Sequence, residues 1–263
     1  MSRYGYTSGQ MPTAPTTPLP PATAWQVEHL RFTVLGEVAL LDPEGAWRAI
    51  TGAEPEVVAN QPKQGLAQVQ GKLDDQRRLA LQVQHRRVDW VLGPANVENL
   101  PTEGFFAISA LPTALDDFSS LLNRWLPSWP SAERLALAGV MHQPQADRVA
   151  GYNQIQDYLP AMTLDPESSD FLYQINRPRP SQTGIPDLRI NRLTKWSVAV
   201  LTHLSGSDLT RLSEVSHRHA CRLEFDINTA ADFRGPLPQE SFPALLAEFA
   251  ALVRELVERG DVK

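Results

Sequence analysis

The strongest constraint on this chain is a two-residue hydrophobic alternation that recurs in short runs. Leu30, Phe32 and Val34 alternate with His29, Arg31 and Thr33. Leu79, Leu81 and Val83 repeat the pattern, and Val88, Trp90 and Leu92 repeat it again after a polar turn at residues 84–87. Successive side chains of a strand point to opposite faces, so this period predicts strands with one face on a core. Strands joined by such short polar turns read as an antiparallel meander. Two stretches instead follow the helical period. Leu115, Phe118, Leu121, Leu122 and Trp125 predict a helix over 113–126, stopped by Pro127 and Pro130. Phe242, Leu245, Leu246, Phe249, Leu252, Val253 and Leu256 predict a closing helix over 241–259, with Gly260 at its C′ position. Meanders with helices on one face define an α+β fold.

The order of elements is read twice. In the first half, a strand at Leu30–Val34 precedes a short helix capped by Asp42-Pro43, with Trp47 and Ile50 on its apolar stripe; the meander and the 113–126 helix follow. In the second half, Leu135, Leu137 and Met141 mark a strand, and 147–159 forms a helix or an irregular turn. Strands are then expected at 171–175, 188–190, 196–200 and 221–227, with a polar insert at 205–216. The expected organisation is a Pro/Thr-rich disordered arm at 1–24, a first strand–helix–meander–helix half at 25–130 and a second at 131–263. The two halves are read as an internal duplication that pairs into one compact unit.

Charge and composition bound the function. The net charge of −6 argues against a broad nucleic-acid footprint. One cysteine, Cys221, cannot form an internal disulfide, which points to a reducing, cytoplasmic setting. The chain has no signal-peptide run and no stretch of about 18 apolar residues, so no membrane association is expected.

The second half carries Arg134-Leu135-Ala136-Leu137, Asp157-Tyr158-Leu159-Pro160, the run from Asp170 to Pro178 through Phe171-Leu172-Tyr173-Gln174-Ile175-Asn176-Arg177, and Leu223-Glu224-Phe225-Asp226-Ile227-Asn228. In these pieces, and by element order over 25–258, it resembles a sporadically distributed family of uncharacterised bacterial proteins of about this length. The family's Arg-Tyr-x-Asn pattern after the first of these strands is replaced by Ala138-Gly139-Val140-Met141. The resemblance implies a fold rather than a reaction.

Four constellations are candidate sites. The first is a basic hairpin in an acidic chain: Arg177, Arg179, Arg189, Arg192 and Lys195, with Trp196 close by and Ile-Asn-Arg occurring twice. Guanidinium forks bind carboxylate and phosphate in pairs, and Asn176 and Asn191 are expected on the face opposite the isoleucines. The alternative is a solvated hairpin whose arginines pair with neighbouring acids. The second is His217, His219 and Cys221, which share a strand face and offer three zinc ligands; the competing reading places Cys221 in the core beside Leu223 and Phe225. The third is acid–base chemistry by Asp74-Asp75, Asp116-Asp117 or Glu224 and Asp226, none beside a fixed histidine. The fourth is a nucleophile or phosphate loop, for which Ser205-Gly206-Ser207-Asp208 is too short.

The sequence therefore predicts no catalytic residue, metal or cofactor. It predicts a binding or regulatory protein that contacts a protein with an acidic surface. A nucleic-acid factor working through the 177–195 hairpin is the alternative, and an enzyme with a site assembled from distant residues the third reading.

Overall fold

The computed structural model describes residues 18–37, 42–61, 63, 65–96, 104–205 and 213–262. The first half runs β1 (Gln26–Leu35), α1 (Pro43–Thr51), β2 (Val57–Gln61), β3 (Leu66–Lys72), β4 (Arg77–Gln84), β5 (Arg87–Pro94), β6 (Ser109–Ala110) and α2 (Leu111–Trp125). The second runs β7 (Arg134–Gln145), α3 (Arg148–Tyr158), β8 (Leu172–Asn176), β9 (Arg179–Pro180), β10 (Arg189–Ser205), β11 (Ser213–Thr229) and α4 (Phe242–Arg259). The strands form one antiparallel eleven-stranded sheet whose main path is β2-β3-β4-β5-β1-β7-β11-β10-β8. The fold is α+β, as the alternation requires.

The two first strands make the seam. β1 and β7 pair from Gln26 opposite His142 to Leu35 opposite Arg134, which joins the halves into a single sheet. On either side of this seam, the first strand of a half lies beside the last strand of its own meander: β1 beside β5, and β7 beside β11. One face of the sheet carries Leu30, Phe32, Leu81, Trp90, Leu137, Trp196, Leu223 and Ile227, and α1, α2, α3 and α4 cover it to form one continuous core. The other face carries no helix among the described residues.

Local chemistry sets the helix ends. The Asp42 carboxylate accepts from the Gly45 amide at 2.9 Å, and Asp147 accepts from Ala150 at 2.8 Å, so each satisfies a first-turn donor. Gly52 closes α1 in the left-handed region at φ 73°.

Several boundaries differ from expectation. The segment at 147–159 is the helix α3, whose buried side is Gly151, Tyr152, Ile155 and Tyr158. The strands expected at 188–190 and 196–200 are one strand, β10. Helix α2 begins at Leu111, so Asp116 and Asp117 stand beyond its first turn. Most of the polar insert and residues 1–17 of the expected arm lie outside the described residues. The end of that arm is packed, because Ala22–Ala24 makes a 3-10 turn and Leu19 and Ala22 rest against the core. No described helix is long and apolar enough to cross a membrane.

Candidate functional site

The basic hairpin is divided between the two faces of the sheet and its edge. Arg177 donates through Nε to Asp261 at 3.1 Å. Arg179 holds Glu255 at 2.7 and 2.9 Å and donates to the Val262 carbonyl at 3.3 Å. Arg192 is fully buried; its Nη1 donates to Val262 O at 3.2 Å and its Nη2 lies 3.5 Å from Glu255. Burial, then the neighbouring Arg179, lowers the Arg192 pKa. Burial alone would raise Glu255, but its hydrogen bond to Arg179 and the charges of Arg179, Arg192 and Arg259 carry it below the usual carboxylate range. Asp261 is buried as well and accepts from Thr194 at 3.0 Å. The acidic groups that meet these three arginines are therefore the end of α4 and the segment after it. They clamp the chain's own C-terminal turn, and the outward basic patch expected from the sequence is not formed by them.

The other members of that set are placed differently. Arg189 is exposed and donates to the Pro178 carbonyl at 3.4 Å. Trp196 is fully buried, stacked on Tyr158 at 5.3 Å, and is not a surface stacking group. Asn176, Asn191 and Lys195 do stand on the helix-free face. Asn176 donates to Asn191 at 3.1 Å, Asn191 to Asn228 at 3.0 Å and Asn228 to Asp226 at 2.7 Å, an amide chain crossing three strands.

That face holds a depression that sequence reasoning did not locate, although Lys195, Glu224 and Asp226 around it are candidates in the sequence. Pairing registers place His29, Val140, Glu224, Lys195 and Gln174 in one row across β1, β7, β11, β10 and β8. Arg31, Ala138, Asp226, Leu193 and Asn176 form the next row. Short side chains on β7 and long ones on its neighbours leave a depression of about 420 Å³, floored by Ala138 and Val140. An ion-pair ladder borders it: Lys195 to Glu224 at 3.0 Å, Arg222 to Glu224 at 3.3 Å and Arg222 to Glu28 at 2.9 Å. Burial works to raise Glu224, yet Lys195 and Arg222 hold it below its ordinary value. Glu28 is lowered chiefly by His29 and, against burial, by Arg222. The ladder thus fixes charges of both signs around an uncharged floor. The sequence signal for this floor is Ala138 and Val140 alternating with Leu137 and Met141, flanked in space by strands that the sequence does not show to be neighbours.

The remaining candidates resolve locally. Cys221 is fully buried, donates weakly to the Gly151 carbonyl at 3.3 Å, and burial pushes its thiol up to about 12. A buried thiol with that pKa is a poor nucleophile and a poor ligand. The His217 and His219 rings lie 6.4 Å apart, and no group of three or more His, Cys, Asp or Glu among the described residues is placed to hold a metal ion. Asp74 caps the turn after β3 and pairs with Arg77 at 2.7 Å, while Asp116 pairs with Arg254 and Asp117 with Arg77. Ser205 is the last residue of β10, and Gly206, Ser207 and Asp208 lie outside the described residues. Comparison with family models, curated proteins and solved structures finds no match to the chain.

Proposed function

We propose that this is a non-enzymatic binding protein that acts through contact with another protein, and that the contact is made on the helix-free face around the depression over β7. The observation that carries this reading is the helix-free, polar face itself. A sheet buries one face for stability, and the other is left available for recognition. Here that face combines a sunken apolar floor, Ala138 and Val140, with a rim of fixed Lys195, Glu224, Arg31 and Asp226. An apolar centre inside a polar rim is the general anatomy of a protein interface.

The same face weighs against nucleic acid. The strand aromatics Phe32, Trp90, Tyr173, Trp196 and Phe225 all stand on the helix side, and Phe105, which lies over this face from a loop, is engaged with the His142 ring at 4.9 Å. Single-stranded nucleic acid is held by aromatic stacking, and three of the arginines that suggested phosphate binding are engaged with the C-terminal turn.

The test is affinity capture from the native host with the wild-type chain and with Ala138→Trp, which fills the depression between its cross-strand neighbours Arg31 and Asp226. The expected result is a specific protein retained by wild type and lost by the variant, with unchanged far-UV circular dichroism. Equal capture by the folded variant, or recovery of nucleic acid in place of protein, overturns the reading.

A further inference from the structure

We infer that the depression over β7 is also a small-molecule site, and that it takes the zwitterion of a free amino acid between Arg31 and Asp226. Both residues are cross-strand neighbours of Ala138, one on β1 and the other on β11. Directly opposed residues share a face, so a guanidinium and a carboxylate flank one methyl group on the helix-free side. The next row repeats the order, with His29 and Glu224 on either side of Val140. One wall of the floor thus bears basic groups and the other acidic ones. All six residues line the depression of about 420 Å³, a size suited to a small ligand.

The two charges that face each other across Ala138 are short of partners. Arg31 Nε is buried without a hydrogen-bond partner and stands 3.9 Å from Asp89. That carboxylate is already taken, by Thr33 at 2.5 Å and by Arg87 at 2.6 and 3.1 Å. On the acidic wall, Lys195 and Arg222 are engaged with Glu224 at 3.0 and 3.3 Å. Asp226 is in no ion pair among the described residues; the charge of Arg87 reaches it, but the Arg87 hydrogen bonds go to Asp89. Asp226 Oδ1 accepts from Asn228 at 2.7 Å, at the end of the amide chain that begins at Asn176. Hydrogen-bonded amides in a chain polarise one another, so this chain orients the carboxylate and leaves its second oxygen open to a ligand.

Charge balance and the width of the gap choose the ligand. In the lining, Arg31 and Lys195 balance Glu224 and Asp226. A ligand with one charge would cover both Arg31 and Asp226 yet pair with only one, and a covered charge without a partner is destabilising. A zwitterion answers both, with its carboxylate on Arg31 and its ammonium on Asp226. Strands β1 and β11 lie two spacings apart, about 9.6 Å, and side chains stand roughly perpendicular to a sheet. A charged hydrogen bond of about 2.8 Å at each end leaves about 4 Å between the ligand's two charged groups. Ordinary bond lengths put the nitrogen and carboxylate carbon of an extended β-amino acid about 3.8 Å apart. The flexible stem of Arg31 also admits the roughly 2.5 Å of an α-amino acid. The ligand's carbons then rest on Ala138 and Val140.

The test is isothermal titration calorimetry on the purified full chain with β-alanine, the common α-amino acids, and the singly charged ethylamine and propionate. At least one amino acid is expected to bind one to one, and ethylamine and propionate at least about tenfold more weakly. Asp226→Asn and Arg31→Gln, each with unchanged far-UV circular dichroism, are expected to lose at least about tenfold in affinity. Arg48→Gln, on helix α1, is expected to bind like wild type. A wild-type chain that binds no amino acid up to about 10 mM, or that takes ethylamine or propionate as tightly, overturns the inference without any variant. So do folded Asp226→Asn and Arg31→Gln proteins that bind like wild type. The inference uses the depression but does not rest on the protein contact proposed for its face. The titration contains no partner, so its result holds whatever affinity capture returns.

Discussion

His142 stands on β7 beneath the ring of Phe105, 4.9 Å away, and its Nδ1 has no hydrogen-bond partner. It is 3% exposed, and burial lowers its pKa from 6.5 to about 4, with Glu28 opposing and Arg222 adding to the shift. The folded value lies below the unfolded one, so folding favours the neutral ring. Above pH 6.5 both states are neutral and no stability is lost. As pH falls from 6.5 towards 4 the unfolded chain takes up a proton that the folded chain refuses. This costs roughly 1.4 kcal/mol per unit, or about 3 kcal/mol in total. Thermal midpoints measured across that window are expected to fall for wild type and to stay flatter for His142→Asn. Superimposable profiles would show that His142 is not the group responsible. The acids Glu28, Glu224 and Glu255 are lowered, so their contribution is present above the ordinary carboxylate value and is lost only at lower pH, as each folded value is passed. The arginines illustrate what a residue's surroundings hide from the sequence. Clustering of Arg177, Arg179 and Arg192 is visible in the sequence, but Asp261 and Glu255, the partners of Arg177 and Arg179, arrive from a helix end 84 and 76 residues away. Nothing local states that Arg192 would point to the core side, because a buried guanidinium defies the usual partition of charge.

At the scale of elements, that same residue explains why the sequence of β10 resembles two strands. Its core face runs Ile190, Arg192, Thr194, Trp196 and Val198, and the two polar members, both fully buried, interrupt the apolar alternation. The hydrogen bond from Thr194 to Asp261 and the clamp on Val262 replace the hydrophobic signal with polar pairing that only the assembled fold supplies. Where the alternation is unbroken, as in β1, β4 and β5, the strands are legible. Helix α3 is ambiguous for a related reason, because Gly151 presses its backbone onto Val198 and offers no side chain to mark a stripe. Gly139 does the same at the central seam. A Cβ there would stand 2.8 Å from the His29 carbonyl oxygen and 2.8 Å from the Phe225 ring, so β1 and β7 approach as closely as they do only because no side chain intervenes. Gly139→Ala is therefore expected to destabilise the protein by about 1–3 kcal/mol, the range for overpacked cores. Urea unfolding measures this directly. A midpoint equal to wild type would mean that the seam relaxes without loss.

At the scale of the whole molecule, the sequence supports two halves and leaves open whether they share a sheet; pairing between distant strands has no local signature. The structure shows a single sheet and one contiguous core cluster that includes residues of both halves. Trp25 of the first half packs against Tyr158 and Trp196 of the second, at 5.4 and 6.0 Å, and donates its indole N–H to the Tyr158 hydroxyl at 3.0 Å. In the first half Trp47, Trp90, Trp125 and Trp129 follow one another at 6.5, 5.7 and 5.2 Å. All six tryptophans of the chain are thus reporters of the interior, none more than 3% exposed. Removing one half would strip β1 or β7 of its seam partner and expose an apolar edge, so neither half has a complete core of its own. Unfolding is accordingly expected as one cooperative transition, although cooperativity is often lost in chains beyond about 150 residues. Tryptophan emission should be blue-shifted in the native state and should shift red at the same denaturant concentration at which far-UV ellipticity is lost. The fragment 131–263 alone should lack sharp native signals. Two separated transitions, or a fragment 131–263 that folds cooperatively, would show that the halves are independent units joined side by side rather than one core built from both.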